Sequence, residues 1–449
     1  MRNVIFRMAA ITVLGLLSRS AIAQLSISAQ VRARSEFRDG QGAPLSKEAD
    51  PALFISQRTR LTGVFNNPRI KVGISLQDVR TWGQDVSTIN RNTTENNNGF
   101  MLHEAWAEIL LSDTAQKNSS LNLRLGRQEL VYDDQRLIGN LDWLQQARRH
   151  DAAVLKFQRK NIMVHLGGAF NQNKENASGT IYSSVPAGNY PASTNNGTMY
   201  KSMQFLYAGK KLAKGSMSYL FFSDQFSKYS LELVEGVNVK KFHSGTWTRF
   251  TTGVYFNNNF DKLSVSASGY HQFGKNSSGQ NLKAWLLALS GGYQIGKVTA
   301  GAGVDYTSGS APGNTNKTFD PLYGTPHKFW GFMDYFYAGS GFGNAGLVDY
   351  FANFKWKNSD RFTLTTVIHH FTSQNEIATT TTNNKSFGQE VDIVAVYEIT
   401  KQIALEGGYS HFFNTALLAD PSVKNISNFK TGANWAYIMI NIKPEFLFK

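Results

Sequence analysis

Cysteine is absent from the 449 residues. That one absence excludes a disulfide framework, a thiolate metal centre and a cysteine nucleophile together. Charge is scarce as well: Asp, Glu, Lys and Arg make up 17% of the chain, against roughly 25% in soluble globular proteins. Acids are the scarcer sign, 32 against 46 bases, which leaves a net charge of +14. Beyond the first residues no run reaches the roughly 18 apolar residues that a membrane-spanning helix needs, so helical spans are excluded. No repeat of fixed period is visible, which counts against propellers and solenoids. What the chain has in plenty is glycine (39 residues), aromatics (13%) and polar Asn, Ser and Thr. That is the profile of many strands joined by polar loops.

The first residues read as an export address. Arg2 and Arg7 precede an apolar run from Met8 to Leu17, and Ala21-Ile22-Ala23 offers small residues for cleavage before Gln24. The run is too short to span a bilayer, so residues 1–23 are expected to be a secretory signal peptide and 24–449 a single exported domain.

The exported part alternates. From Leu25 to Arg38, Leu25, Ile27, Ala29, Val31, Ala33 and Phe37 are apolar, while Ser26, Ser28, Gln30, Arg32, Arg34, Glu36 and Arg38 are polar. Period two over fourteen residues is a long strand with one greasy and one wet face. Ala52–Phe65, Gln389–Glu398 and Gln402–His411 repeat the pattern. About eighteen such strands can be placed, longer than the five or six residues usual in soluble sheets. Connections after even-numbered strands are tight, as at Asn66-Asn67-Pro68, Arg159, Ile295-Gly296 and Thr400-Lys401. Those after odd-numbered strands are mostly long and polar: 81–100, 172–199, 225–245, 309–344 and 414–432. Two loop classes in strict alternation predict an all-β fold, an up-and-down antiparallel transmembrane β-barrel of about eighteen strands, with short periplasmic turns and long outer loops. A soluble sandwich or β-helix would explain the alternation but not the two loop classes. The predicted location is a bacterial outer membrane, among lipid and lipopolysaccharide. The closing aromatics Phe446 and Phe448 suit handling by barrel-assembly machinery.

If the apolar face meets lipid, the other face lines the lumen. Arg32, Arg34, Arg58, Arg60 and Lys71 then point inward, followed by Arg124 and Lys156, with Glu104 and Glu108 on the same face as pairing acids. Charge on the lipid face would cost roughly 2–4 kcal/mol at the midplane, so the inward assignment is the cheaper one. Rings of Arg and Lys select anions in pores. The same arginines could instead be locked in lumenal salt bridges that stiffen the barrel, and the two roles are compatible.

Other patterns carry less. Gly339, Gly341, Gly343 and Gly346 resemble a phosphate-binding loop but lack the strand–turn–helix setting that motif needs. His369 and His370 are adjacent on a strand and so face opposite ways. The sequons at Asn118, Asn196 and Asn276 carry no meaning in a bacterial protein. The nine histidines show no spacing that marks a hydrolase triad. No cofactor, metal site, nucleic-acid partner or enzymatic activity is expected.

Two segments carry a resemblance. Residues 125–157 contain Gly126-Arg127-Gln128, Asp134 with Arg136, Leu137-Ile138-Gly139, Trp143, and then Arg149 and Asp151. Residues 318–331 read TFDPLYGTPHKFWG, closing near Asp334. Both resemble the hallmark segments of the bacterial alginate-export outer-membrane porin family. The resemblance implies a monomeric porin with an electropositive, arginine-lined constriction for an anionic polysaccharide, with periplasmic export partners. It also implies that Arg127, Arg136 and Arg149 line the pore, with Asp134 and Asp151 as partners. Strict alternation from Leu121 turns Arg127 outward, so its place in the pore would need a bulge.

Three functions remain open at this stage: a conduit for anionic saccharides or other organic anions, a closed barrel whose outer loops bind a surface partner, and a barrel enzyme acting on lipid or glycan. The 136–148 stretch and the 318–334 loop are candidate lids for the lumen.

Overall fold

A computed structural model describes residues 24–83, 100–115, 118–171, 200–310, 315–336, 344–379 and 383–448. The proposed signal peptide, the loop 172–199 with its sequon Asn196, most of 81–100, and Gly339, Gly341 and Gly343 lie outside these residues.

Each strand is hydrogen-bonded to its neighbours in sequence, and the first pairs with the last. The wall runs β1 (Gln24–Asp39), β2 (Ala52–Asn66), β3 (Ile70–Thr81), β4 (Met101–Leu110), β5 (Ser119–Gln128), β6 (His150–Arg159), β7 (Ile162–Phe170), β8 (Ser202–Lys211) and β9 (Gly215–Val234). It continues through β10 (Val237–Phe260), β11 (Leu263–Lys275), β12 (Asn281–Ile295), β13 (Val298–Thr307), β14 (Leu347–Lys357), β15 (Phe362–Ala378), β16 (Asn383–Thr400) and β17 (Ile403–Asn414). The eighteenth strand is interrupted by Pro444, whose missing N–H breaks the ladder, into β18 (Gly432–Ile442) and β19 (Glu445–Phe448). Both halves pair with β1, Val31 opposite Ile442 and Leu25 opposite Phe448. The antiparallel sheet is closed, so the barrel wall itself leaves no strand edge to aggregate.

The outer face is apolar and exposed, with Leu61, Ile74, Leu166, Val254, Leu289, Ile368 and Ile438 spread around it. Facing inward on β1 are the buried Gln30, Arg32, Arg34 and Glu36. Short turns close one end, where Lys160 (φ 51°), Asp261 (φ 56°) and Gly296 (φ 58°) take the left-handed conformation that tight hairpins require.

At the long-loop end, one expectation is corrected. Residues 225–245 are not a loop. The β9–β10 ladder runs through them to a turn at Glu235-Gly236, with Tyr229 opposite Phe242 and Val234 opposite Val237. Neighbouring strands leave this pair at Gln225 and Arg249, so a two-stranded ribbon projects about 30 Å beyond the wall. Tyr229, Leu231 and Leu233, then Val237 and Val239, alternate with other residues about a Glu-Gly turn, so the hairpin is present in the sequence although both of its faces meet water.

The two loops that matter most turn inward. Residues 129–149, between β5 and β6, meet residues 315–336 of the β13–β14 connection in the interior. Ile138 bridges Tyr323 in parallel; Gly139 N donates to Tyr323 O (2.9 Å), Tyr323 N to Leu137 O (2.9 Å) and Thr325 N to Gln135 O (2.8 Å). A Cβ at Gly324 would lie 2.0 Å from Arg136 O, so only glycine allows this approach. Leu137, Ile138, Phe319, Leu322, Tyr323, Trp330 and Met333 of these loops then pack on Phe205, Phe222, Phe371, Phe412 and Trp435 of the wall. The barrel's apolar core is made by its loops. A short helix, α1 (Ala416–Ala419), capped by Thr415 Oγ1, sits in the β17–β18 connection.

Candidate functional site

The β1–β2 register places Arg32 directly opposite Arg58, with Gln30 opposite Arg60 and Arg34 opposite Ser56. Like charges directly opposed on one face are unfavourable, so such a pair needs anionic or dipolar partners. The inward-folded loop supplies them. Arg58 Nη1 lies 2.8 Å from Asp142 Oδ1, Arg32 Nη1 3.5 Å from Oδ2, and Arg60 Nη1 3.9 Å from Oδ1. One carboxylate thus serves three guanidinium groups.

Backbone carbonyls of the same loop complete the shell. Arg32 donates to the carbonyls of Asp142 (2.8 Å), Trp143 (3.2 Å) and Leu144 (3.1 Å), and through Nε to Gln145 Oε1 (2.9 Å). Arg34 donates to Trp143 O at 3.0 Å and lies over the Trp143 ring at 4.2 Å. Arg58 Nη1 also reaches Gln145 O, and Gln77 Nε2 donates to Gln146 O. Arg32 and Arg58 are 4% and 1% exposed, whereas the Asp142 side chain remains 39% exposed. Burial by itself would raise the Asp142 carboxyl; Arg58, with Arg32 and Arg60, outweighs it and holds the group below its ordinary value.

The structure gathers Arg32, Arg34, Arg58 and Arg60, as alternation places them. Glu104 belongs beside them: its Oε1 accepts the Glu129 N–H at 3.0 Å, and Glu129 lies 3.5 Å from Arg60. A second inward group forms on β3–β6. Glu108 accepts from Arg124 (2.6 Å) and Lys156 (2.9 Å), Arg124 stacks over Trp106 at 3.9 Å, and Lys71 stands opposite Glu108 in register. Arg136 is buried in the loop core, 2.5 Å from Asp305 Oδ2 and 3.4 Å from Asp134.

Three residues implied by the family motif fall elsewhere. Arg127 and Asp151 face each other across β5–β6 in a two-pronged pair (2.8 and 2.9 Å), and both are exposed on the outward side with Leu125. They do not line the lumen, since alternation continues through Gly126 without a bulge in either pairing. Arg149 lies one residue before β6 beside Met101, with Nη2 3.7 Å from Sδ. The inward member of that doublet is Arg148, on the same parity as the buried His150, Ala152 and Val154. Arg148 Nη1 donates to the carbonyls of Gly139 (3.0 Å), Gly324 (2.5 Å) and Tyr323, stapling the two loops. Counting back from β6 by twos would have singled it out.

The sequence reading also missed Asp142 and an inward acidic group on β14–β16, whose last strand lies three strands round the closed sheet from β1. His369 turns inward onto Asp349 (2.9 and 3.0 Å) and lies 3.6 Å from Asp392, while His370 takes the other face. Glu390 Oε1 and Asp392 Oδ2 accept the Met333 and Phe332 N–H groups of the inward loop. The loops are therefore clasped by arginines of β1 and β2 and by carboxylates of β16.

Comparison with known proteins fits this architecture. The alginate export family model matches residues 23–176 and 243–422. The chain belongs to the alginate export family. Solved structures share its fold: a BenF-like porin from Pseudomonas fluorescens Pf-5 (TM-score 0.58, 10% identity, 95% of this chain and 99% of that one) and Pseudomonas aeruginosa OpdO (0.57, 11%, 95% and 98%). Pseudomonas aeruginosa OpdK with vanillate is similar at 0.57 and 8%, over 94% and 99%. No curated protein matches the chain. It is an outer-membrane barrel of porin type, and both family segments, 125–157 and 318–331, feed the loops that occupy its lumen.

Proposed function

We propose that the barrel is a gated, anion-selective conduit, passing anionic saccharides or other organic anions. The observation that carries this reading is Asp142. A single carboxylate from a folded-in loop sits among Arg58, Arg32 and Arg60, where a solute carboxylate would find the same donors. Guanidinium groups hold carboxylates through paired N–H donors, and several weak sites in series let a solute leave as easily as it enters. Lys71, Arg124 and Lys156 continue the positive lining on the neighbouring strands, with Glu108 paired to Arg124 and Lys156 and opposite Lys71 in register. Membership of a family described as alginate export supports an anionic saccharide as the solute class. The closed single-chain sheet supports a conduit formed by one copy.

Neutralising Arg58 and Arg60 together (R58Q/R60Q) is expected to lower anion selectivity in planar bilayers, read as a reversal potential shifted toward zero in a salt gradient. An unchanged reversal potential sinks the proposal.

The second reading, a closed barrel that acts through its outer loops, is favoured by the depth to which the arginines are buried. It predicts negligible conductance from wild-type protein and from variants in which the loop is released.

A further inference from the structure

A cavity of about 250 Å³ opens at the outer end of the barrel between the wall and residues 316–336. It lies on β10–β14, half-way round the closed sheet from the arginines of β1 and β2. Its inner surface is aromatic, formed by Phe319, Trp330 and Phe336, all buried. Its rim carries amides and an acid, Asn276, Asn344 and Asp320. The volume is below the roughly 300–1,000 Å³ of pockets for drug-sized ligands, so it suits one small ring.

Its electrostatics differ from those of the opposite wall. Among the described residues, the one guanidinium lining it, that of Arg249, is already taken: Nε and Nη2 bond both oxygens of Asp224 (3.0 and 2.6 Å), and Nη1 lies 2.8 Å from Asp320 Oδ2. Two carboxylates on one cation leave a net negative charge. A carboxylate ligand would be repelled here, whereas a hydroxyl could donate to Asp320, whose side chain is 45% exposed. Trp330 is 5% exposed, so its indole serves the cavity as an apolar wall. An apolar ring face against aromatic walls, hydroxyl donors for an acid and polar oxygens for the rim amides describe one chemistry.

We propose that this cavity is a binding subsite for an uncharged sugar ring at the outer mouth of the barrel. As a station for a saccharide solute it rests on the conduit reading, but the binding itself does not, and it can be measured in protein that conducts nothing. The test is titration of the refolded mature protein, in a detergent without a sugar headgroup, with methyl glycosides of glucose, mannose and galactose and with methyl glucuronide, followed by calorimetry. At least one neutral glycoside is expected to bind saturably, and the glucuronide at least tenfold more weakly. Trp330→Phe shortens the aromatic wall; it is expected to weaken the neutral ligand by about fivefold. Asp320→Asn, on the exposed rim, is expected to narrow the gap between neutral and charged ligands. Absence of saturable binding by all three neutral glycosides, tighter binding of the glucuronide, or full affinity in both variants would overturn the assignment. Retained β-sheet circular dichroism in the Asp320→Asn protein separates loss of the site from loss of the fold.

Discussion

Arg58 on the second strand donates to Asp142, 84 residues further along the chain, at 2.8 Å. That contact fastens a mobile class of segment, an outer loop, to the most rigid part of the molecule. It also sets a carboxylate where three arginines converge. In the proposed conduit, gate and selectivity element are the same set of atoms.

Removing that carboxylate should release the loop. Breaking a fully buried ion pair costs roughly 3–5 kcal/mol; Asp142 is partly exposed, so the cost of D142N should fall below that range. The chain has no cysteine, which makes a Leu144→Cys probe specific. Labelling of Cys at this position by a water-soluble maleimide is expected to be at least several-fold faster when Asp142 is Asn, with barrel circular dichroism unchanged.

The same carboxylate sets a pH dependence. Its folded value lies below the ordinary 3.8, so its contribution to docking is complete above that value and is lost as pH falls through the folded one. Hydrogen–deuterium exchange of residues 129–149 in the wild type, taken relative to the intrinsic exchange rate at each pH, should therefore stay slow from pH 8 down to about 4 and quicken only below it. The D142N protein should lack this acid transition. A transition in the wild type near neutrality would contradict the assignment.

Alternation made much of this legible. The pleat fixes a period of two, lipid on one side and water on the other enforce it, and all eighteen strands and the inward set Arg32, Arg34, Arg58 and Arg60 follow. Arg148 was within reach of the same rule. What was not legible lies where no period operates. Whether residues 129–149 project outward or fold inward depends on contacts such as Arg58–Asp142 and Ile138–Tyr323 between segments distant in sequence. The β9–β10 ribbon was within reach of the alternation rule too, from Leu231, Leu233, Val237 and Val239 about Glu235-Gly236. Motif position misplaced Arg127, where the local leucine alternation pointed outward.

Gly324→Ala tests the seam between the loops. Its Cβ would meet Arg136 O at 2.0 Å, and overpacking of this kind typically costs about 1–3 kcal/mol. The variant is expected to keep the heat-resistant barrel mobility on gels while exposing residues 129–149 to limited proteolysis. Wild-type resistance of those residues would show that the seam does not hold them.

Arg127→Gln should do little. The pair with Asp151 is exposed on the outer face, where such bridges are worth about 0–1 kcal/mol. Thermal stability within that margin and an unaltered reversal potential are expected; a loss of anion selectivity would return Arg127 to the pore.

The most direct measurement is single-channel recording of the wild type beside D142N in a salt gradient. The account predicts rare anion-selective openings in the wild type and far more frequent openings of the same selectivity once Asp142 is neutralised. Silence in both proteins, or cation-selective openings in either, would contradict it.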